Sequence, residues 1–225
     1  MDRLLEDLQL RFDHAALHSE VDEQTVRRAC DEARRYGFFS VAVNPAWVAT
    51  AADALQGCPV KVLGVSGFPL SAHRTDIKVL EAVKGVRDGA AEIDMVANVG
   101  WLVSGRYAEV EDEIRQVREA LPYNVVLKVI IEAGKLSREQ QVAATKCVVN
   151  GGAQFVKTCT GFFGGATAEQ VGTLVEAAGG AVEVKASGGI RTLAQCRELL
   201  AAGATRLGSS SSVAIMEELK AADGS

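Results

Sequence analysis

A closed (β/α)8 barrel is the fold class this α/β sequence predicts, on three observations. Eight short apolar, β-branched runs recur along the 225 residues; segments with apolar residues at i, i+3 and i+4 separate them; small or polar residues punctuate the joins. Strands that alternate with helices form parallel sheets, because parallel neighbours need a crossover. Shared among eight units, the chain allots about 28 residues to each, close to one βαβ step. The rival open, doubly wound sheet would carry a G-x-G-x-x-G turn after its first strand, and that turn is missing. No linker or low-complexity stretch divides the chain, so residues 1–225 read as a single (β/α)8 TIM-barrel domain.

The first strand is expected in LRFDHAAL (10–17), followed by the helical EQTVRRACDEARRYG (23–37) with Gly37 at its end. FFSVAVN (38–44) and VKVLGVS (60–66) supply the second and third strands. TDIKVLEAVKGVRDG (75–89), closed by Gly89, leads to the fourth, AEIDMVAN (91–98). NVVLKVII (124–131) is the fifth, and the helix REQQVAATKCVVNGG (138–152) opens on Ser137 and Gln140, spaced for a capping box, and stops at Gly151. After FVKTCT (155–160), the sixth, Thr167 and Gln170 open a helix that Gly179 ends. VEVKASG (182–188) is the seventh; TLAQCRELLAAG (192–203) starts with Thr192 and Gln195 and ends at Gly203; RLGSS (206–210) is the eighth.

The totals exclude several function classes. With 48% hydrophobic and 24% charged residues, the chain can build one sizeable core. A net charge of -5, with both signs interspersed, offers no basic stripe for a nucleic-acid backbone. No signal-peptide core and no run of about 18 apolar residues is present, so no membrane partner and a cytoplasmic location are expected. Five scattered cysteines (Cys30, Cys58, Cys147, Cys159, Cys196) suit reduced thiols, and three dispersed histidines give no support for a bound metal. Catalysis is therefore expected from side chains alone, with no cofactor.

A barrel of this type carries its chemistry at the C-terminal ends of its strands. Three strands bring a lysine there: Lys128, Lys157 and Lys185, on the fifth, sixth and seventh. Lysine is almost never buried without a partner or a purpose. On the fourth strand the period of two puts Glu92 and Asp94 on one face, Asp94 nearer the mouth. Lys128 alone could snorkel or pair internally, and Asp94 alone could neutralise a lysine. Three lysines converging beside one aspartate are destabilising unless one of them is neutral. A free lysine is unprotonated in about one molecule in 2,500 at pH 7; a pKa lowered to about 7.4 raises that to roughly 30%. One lysine can then attack a carbonyl while another holds its pKa down. The iminium so formed is an electron sink for breaking an adjacent C–C bond, and the aspartate can move the protons.

Two loops suggest an anion site. SGGIRT (187–192) follows the seventh strand, with Gly188 and Gly189 allowing close backbone approach, and GSSSS (208–212) follows the eighth. These are the loops at which such barrels often bind phosphate.

On the motifs FDH, SVAVNP, GFPL, EIDMVANVG, LKVIIEAG, VKTCTGF, VKASGGIRT and LGSSS, in that order and nearly end to end, the chain resembles the deoxyribose-phosphate aldolases, class I Schiff-base aldolases. The resemblance implies reversible cleavage of 2-deoxy-D-ribose 5-phosphate to D-glyceraldehyde 3-phosphate and acetaldehyde. It makes Lys157 the Schiff-base lysine, Lys185 the second catalytic lysine and Asp94 the proton-relay aspartate. It also implies Lys128 beside the substrate hydroxyls, Thr160 on the substrate, and Ser187, Gly188, Gly189, Gly208, Ser209 and Ser210 around the phosphate. A homo-oligomer, dimer or tetramer, is the family's common state.

The sequence departs from the family at Cys159, where Ser is usual, at Ala42, where many members have Cys, and in ending AADGS without a C-terminal tyrosine. Glu183 shares a face with Lys185 and is expected to pair inside the barrel, and His14 and His18 read as hydrogen-bonding residues. Two alternatives stay open at this point: another class I aldolase or transaldolase, and a non-catalytic sugar-phosphate-binding barrel.

Overall fold

The computed structural model describes residues 3–223. Eight parallel strands close on themselves in chain order: β1 Phe12–Ala16, β2 Ser40–Val43, β3 Lys61–Ser66, β4 Glu92–Val96, β5 Val126–Ile130, β6 Phe155–Lys157, β7 Glu183–Ser187 and β8 Arg206–Ser209. All eight lie inside the runs expected to form them. The helices are α1 Glu23–Tyr36, α2 Val48–Ala54, α3 Thr75–Arg87, α4 Val99–Val103, α5 Tyr107–Ala120, α6 Arg138–Asn150, α7 Ala168–Ala178, α8 Leu193–Ala201 and α9 Ser212–Asp223. The crossover from β4 to β5 uses two of them, α4 and α5.

The local signals explain the helix ends. Ser137 with Gln140, Thr167 with Gln170, and Thr192 with Gln195 each form a reciprocal capping box. Gly37 and Gly179 cap α1 and α7 in the left-handed conformation. Gly151 departs from expectation: its φ is −72°, and Gly152 takes the positive value of 80°. Gly151 is needed for packing, since an added Cβ would lie 2.5 Å from Ile114 Cγ2.

The sixth strand is shorter than its apolar run suggests, ending at Lys157. Beyond it, Thr160 gives its N–H and its hydroxyl to the carboxylate of Glu132 instead of to a neighbouring strand. The segment thereby leaves the sheet just past its lysine.

The main apolar layer lies between sheet and helices, where Val41, Ile93, Leu127, Val156 and Leu207 are completely buried. Truncating one of these, as in Leu127→Ala, costs about 2–5 kcal/mol. The barrel interior differs. A small apolar cluster, Ala42, Leu63 and Val65, fills the sector of the second and third strands, while the neighbouring strands hold ionisable side chains. Register sets the contrast, because Asp94 is level with Lys128, Lys157 with Lys185, and Lys185 with Arg206 on successive strands. Among the described residues, no helix is long and apolar enough to cross a membrane.

Candidate active site

Alternation along β4, β5, β6 and β7 turns Asp94, Lys128, Lys157 and Lys185 into the barrel. Each is at most 3% exposed. They meet at one carboxylate. Lys157 Nζ and Lys185 Nζ both donate to Asp94 Oδ2, each at 2.7 Å, and Lys128 Nζ lies 3.2 Å from Asp94 Oδ1.

A second carboxylate completes the arrangement. Asp13, on β1, sits 2.5 Å from Lys185 Nζ, accepts hydrogen bonds from Ser40 Oγ at 2.7 Å and from Arg206 Nη1 at 2.9 Å, and lies 3.7 Å from Lys128 Nζ. Glu92 accepts from Lys128 and lies 3.4 Å from Arg206 Nη1. The Arg206 guanidinium stacks on Phe39, 3.6 Å from the ring centre. The network thus joins four basic side chains to three carboxylates, and it balances when one lysine is neutral.

Lys157 is the lysine whose charge its surroundings disfavour. Burial lowers its pKa most, Asp94 raises it and the Lys185 ammonium lowers it again, leaving it at about 8. Lys128 goes the other way: burial acts against its charge, but Asp94, Asp13 and Glu92 together hold its pKa above the ordinary value. Asp94 and Asp13 are both kept well below the usual carboxylate range; burial would raise them, and the surrounding cations prevail. Asp94 is therefore ionised, and the Lys157 amine is a weaker base than an ordinary lysine.

Above this network opens a cavity of about 150 Å3, whose floor includes Asp13, Lys157 and Lys185 and whose wall includes Ala42, Thr160 and Phe162. Ser187, Gly188, Gly189, Gly208, Ser209 and Ser210 line its far side, together with Arg191. Gly188 and Gly189 have φ of 93° and 71°. A side chain at Gly188 would put Cβ 2.8 Å from Gly164 O and 3.0 Å from Gly161 Cα, so the two loops fit only with glycine there.

Several expectations take a different shape. Lys128, like Asp94, does not line the cavity; it is fully buried and pairs with Glu92, Asp94 and Asp13. Glu183 does not pair inside the barrel: it is exposed at the start of β7 and accepts a hydrogen bond from the Thr205 hydroxyl at 2.6 Å, because the lower end of the strand projects out of the interior. His14 faces outward, bonded through Nε2 to Glu32 at 3.0 Å, and burial lowers its pKa. His18 lines the cavity with its ring 5.7 Å from that of Phe162. Asp13 and Arg206 escaped the sequence reading, although both carry its signal: a charge within a strand of apolar or small residues.

Comparison with known proteins gives a consistent pattern. A family model described as DeoC/LacD family aldolase matches residues 8–214. The deoxyribose-phosphate aldolase of Geobacillus sp. is 46% identical over 207 residues, covering 92% of this chain and 93% of that protein. That of Aciduliprofundum boonei is 44% identical over 211 residues, 93% and 95% of the two chains. Among solved structures, an aldolase named QR15 superposes with a TM-score of 0.91 at 38% identity, over 96% of this chain and 97% of that one. A deoxyribose phosphate aldolase from Aeropyrum pernix, described as a unique tetramer, gives 0.89 at 32% identity, over 96% and 92%.

Proposed function

Because the chain belongs to the DeoC/LacD family of aldolases, we propose that it reversibly cleaves 2-deoxy-D-ribose 5-phosphate to D-glyceraldehyde 3-phosphate and acetaldehyde through a Schiff base on Lys157. The observation that carries this reading is the pair of lysine amines on one carboxylate oxygen, Asp94 Oδ2, one of them with its pKa lowered to about 8.

Neutral Lys157 Nζ adds to the C1 aldehyde of the open-chain sugar, and loss of water leaves an iminium. A base removes the C3 hydroxyl proton; the C2–C3 bond breaks, C3 leaves as the aldehyde of glyceraldehyde 3-phosphate, and the electron pair passes through C2 to the iminium nitrogen as an enamine. Protonation at C2 and hydrolysis then release acetaldehyde and the free amine. Asp94, ionised and bonded to both lysines, is suited to relay these protons, directly or through water. Lys185 keeps Lys157 from binding its proton too tightly.

Phosphate is taken to lie in the cradle of Ser187, Gly188, Gly189, Gly208, Ser209 and Ser210, which the cavity joins to Lys157 and Thr160. Assembly as a homo-oligomer and a cytoplasmic location belong to the same reading, the first supported by the tetrameric relative. Borohydride reduction in the presence of acetaldehyde tests the covalent step: a 28 Da-range ethyl adduct is expected on Lys157, with loss of retro-aldol activity in an assay coupled to glyceraldehyde 3-phosphate release. An adduct elsewhere, or none, overturns the assignment of Lys157.

A further inference from the structure

Behind the cavity wall, bonded to the lining residue Thr160, lies a buried carboxylate that the reaction does not use. Glu132 lies just past the end of β5, 3% exposed, with a left-handed backbone at φ 52° and ψ 57°. Side chains other than glycine, Asn and Asp rarely adopt this conformation. Here it directs the Glu132 side chain across to the next strand end, where Oε2 accepts both the N–H of Thr160, at 3.1 Å, and its hydroxyl, at 2.7 Å. The backbone is locked on either side: Ala133 N donates to Thr158 O, and Lys135 N donates to Glu132 O, each at 2.8 Å.

These bonds determine what Thr160 can offer. A threonine hydroxyl has one proton to donate and two lone pairs. The proton is committed to Glu132, and one lone pair accepts from Phe162 N–H at 3.2 Å. What remains is one lone pair, on a residue lining the cavity. Thr160 lies three residues beyond Lys157 and next to Gly161, whose backbone presses on Gly188 of the anion cradle. A substrate spanning amine and cradle passes Thr160 with its middle carbons.

We infer that Glu132 is a positioning residue that makes the Thr160 hydroxyl a hydrogen-bond acceptor only, so that the site selects substrates carrying a hydroxyl donor on the carbon next to the phosphate-bearing one. This rests on the aldolase reading above. A hydroxyl free to rotate would take either role and lose that preference; a site with its polarity set leaves an unpaired acceptor when the donor is absent.

The test uses two acceptor aldehydes that differ by one hydroxyl, 2-hydroxypropanal and propanal, each condensed with acetaldehyde by the full chain. Glu132→Gly keeps the left-handed backbone and removes the carboxylate. It should lower the kcat/KM ratio of the hydroxylated over the plain aldehyde by roughly three- to tenfold, the worth of one hydrogen bond. Glu132→Gln, whose carbonyl oxygen can accept both bonds, should retain the ratio. If glycine prevents folding, Glu132→Asn, which tolerates this φ and is one carbon shorter, makes the same comparison. Parallel loss with both aldehydes, or an unchanged ratio in the carboxylate-free variant, overturns the inference. Borohydride trapping of acetaldehyde by the unmodified protein separates the two levels: without an adduct the aldolase reading fails, whereas an adduct with an unchanged ratio removes only the role of Glu132.

Discussion

Lys157 and Lys185 are level with each other on neighbouring strands, and both amines end 2.7 Å from the same oxygen, Asp94 Oδ2. Lys157, at the floor of the cavity, has its pKa lowered to about 8, mainly by burial.

This relationship predicts opposite shifts from its two partners. The acid limb of the kcat/KM profile should follow Lys157, near pH 8 in the unaltered protein. Lys185→Leu removes a charge that lowers the Lys157 pKa, so the limb should move to higher pH. Asp94→Asn removes the charge that raises it, so the limb should move to lower pH while kcat falls by about a hundredfold or more with loss of the relay. Shifts in the same direction would show that the amine does not sense these two neighbours separately.

Stability should carry the same signature. The folded-state pKa of Lys157, about 8, is below its ordinary 10.5, so between those values the unfolded chain binds more protons than the folded one. The penalty is complete below pH 8 and disappears as pH rises to 10.5. Relative to Lys157→Met, which has no such penalty, the unaltered protein should gain by up to about 1.4 kcal/mol per pH across that window. Urea unfolding of both proteins at pH 7.5, 9 and 10.5 measures the difference; parallel curves would contradict the lowered pKa.

At the anion cradle, Gly188→Ala should cost about 1–3 kcal/mol, because φ of 93° and the Gly164 carbonyl 2.8 Å from the new Cβ both resist a side chain. Catalysis should suffer unevenly. KM for deoxyribose 5-phosphate should rise more than KM for unphosphorylated deoxyribose, and an equal rise would remove phosphate from this loop.

Cys159, two residues from Lys157, is completely buried and its thiol is pushed up to about 11, mainly by burial. It should be slow to alkylate in the folded protein, and Cys159→Ser should change kcat/KM by less than about threefold. Rapid inactivation by iodoacetamide, with Cys159 modified by mass spectrometry, would show an accessible thiolate instead.

Much of the fold was legible because its signals are local. The eight strands lie within their apolar runs, and Ser137, Thr167 and Thr192 cap their helices as their spacing requires. Asp94, Lys157 and Lys185 could be singled out because ionisable residues inside apolar strands are costly enough to need a reason. Lys128 carries the same signal yet, like Asp94, does not line the cavity, and Glu183 shares a strand face with Lys185 yet reaches solvent. Height along the barrel axis depends on the stagger between strands, which periodicity within one strand does not encode.

The amino-acid sequence alone determined the alternation of elements, their caps and the lysine-rich strand ends, since each follows from residues close together in the chain. Tertiary structure decided that burial lowers the Lys157 pKa, how Asp13 and Arg206 enter the balance, and how Glu132 bonds Thr160. Those outcomes depend on burial and on distances of a few ångströms between residues far apart in sequence, such as Asp13 and Arg206 at 2.9 Å. Closure of the barrel brings them together.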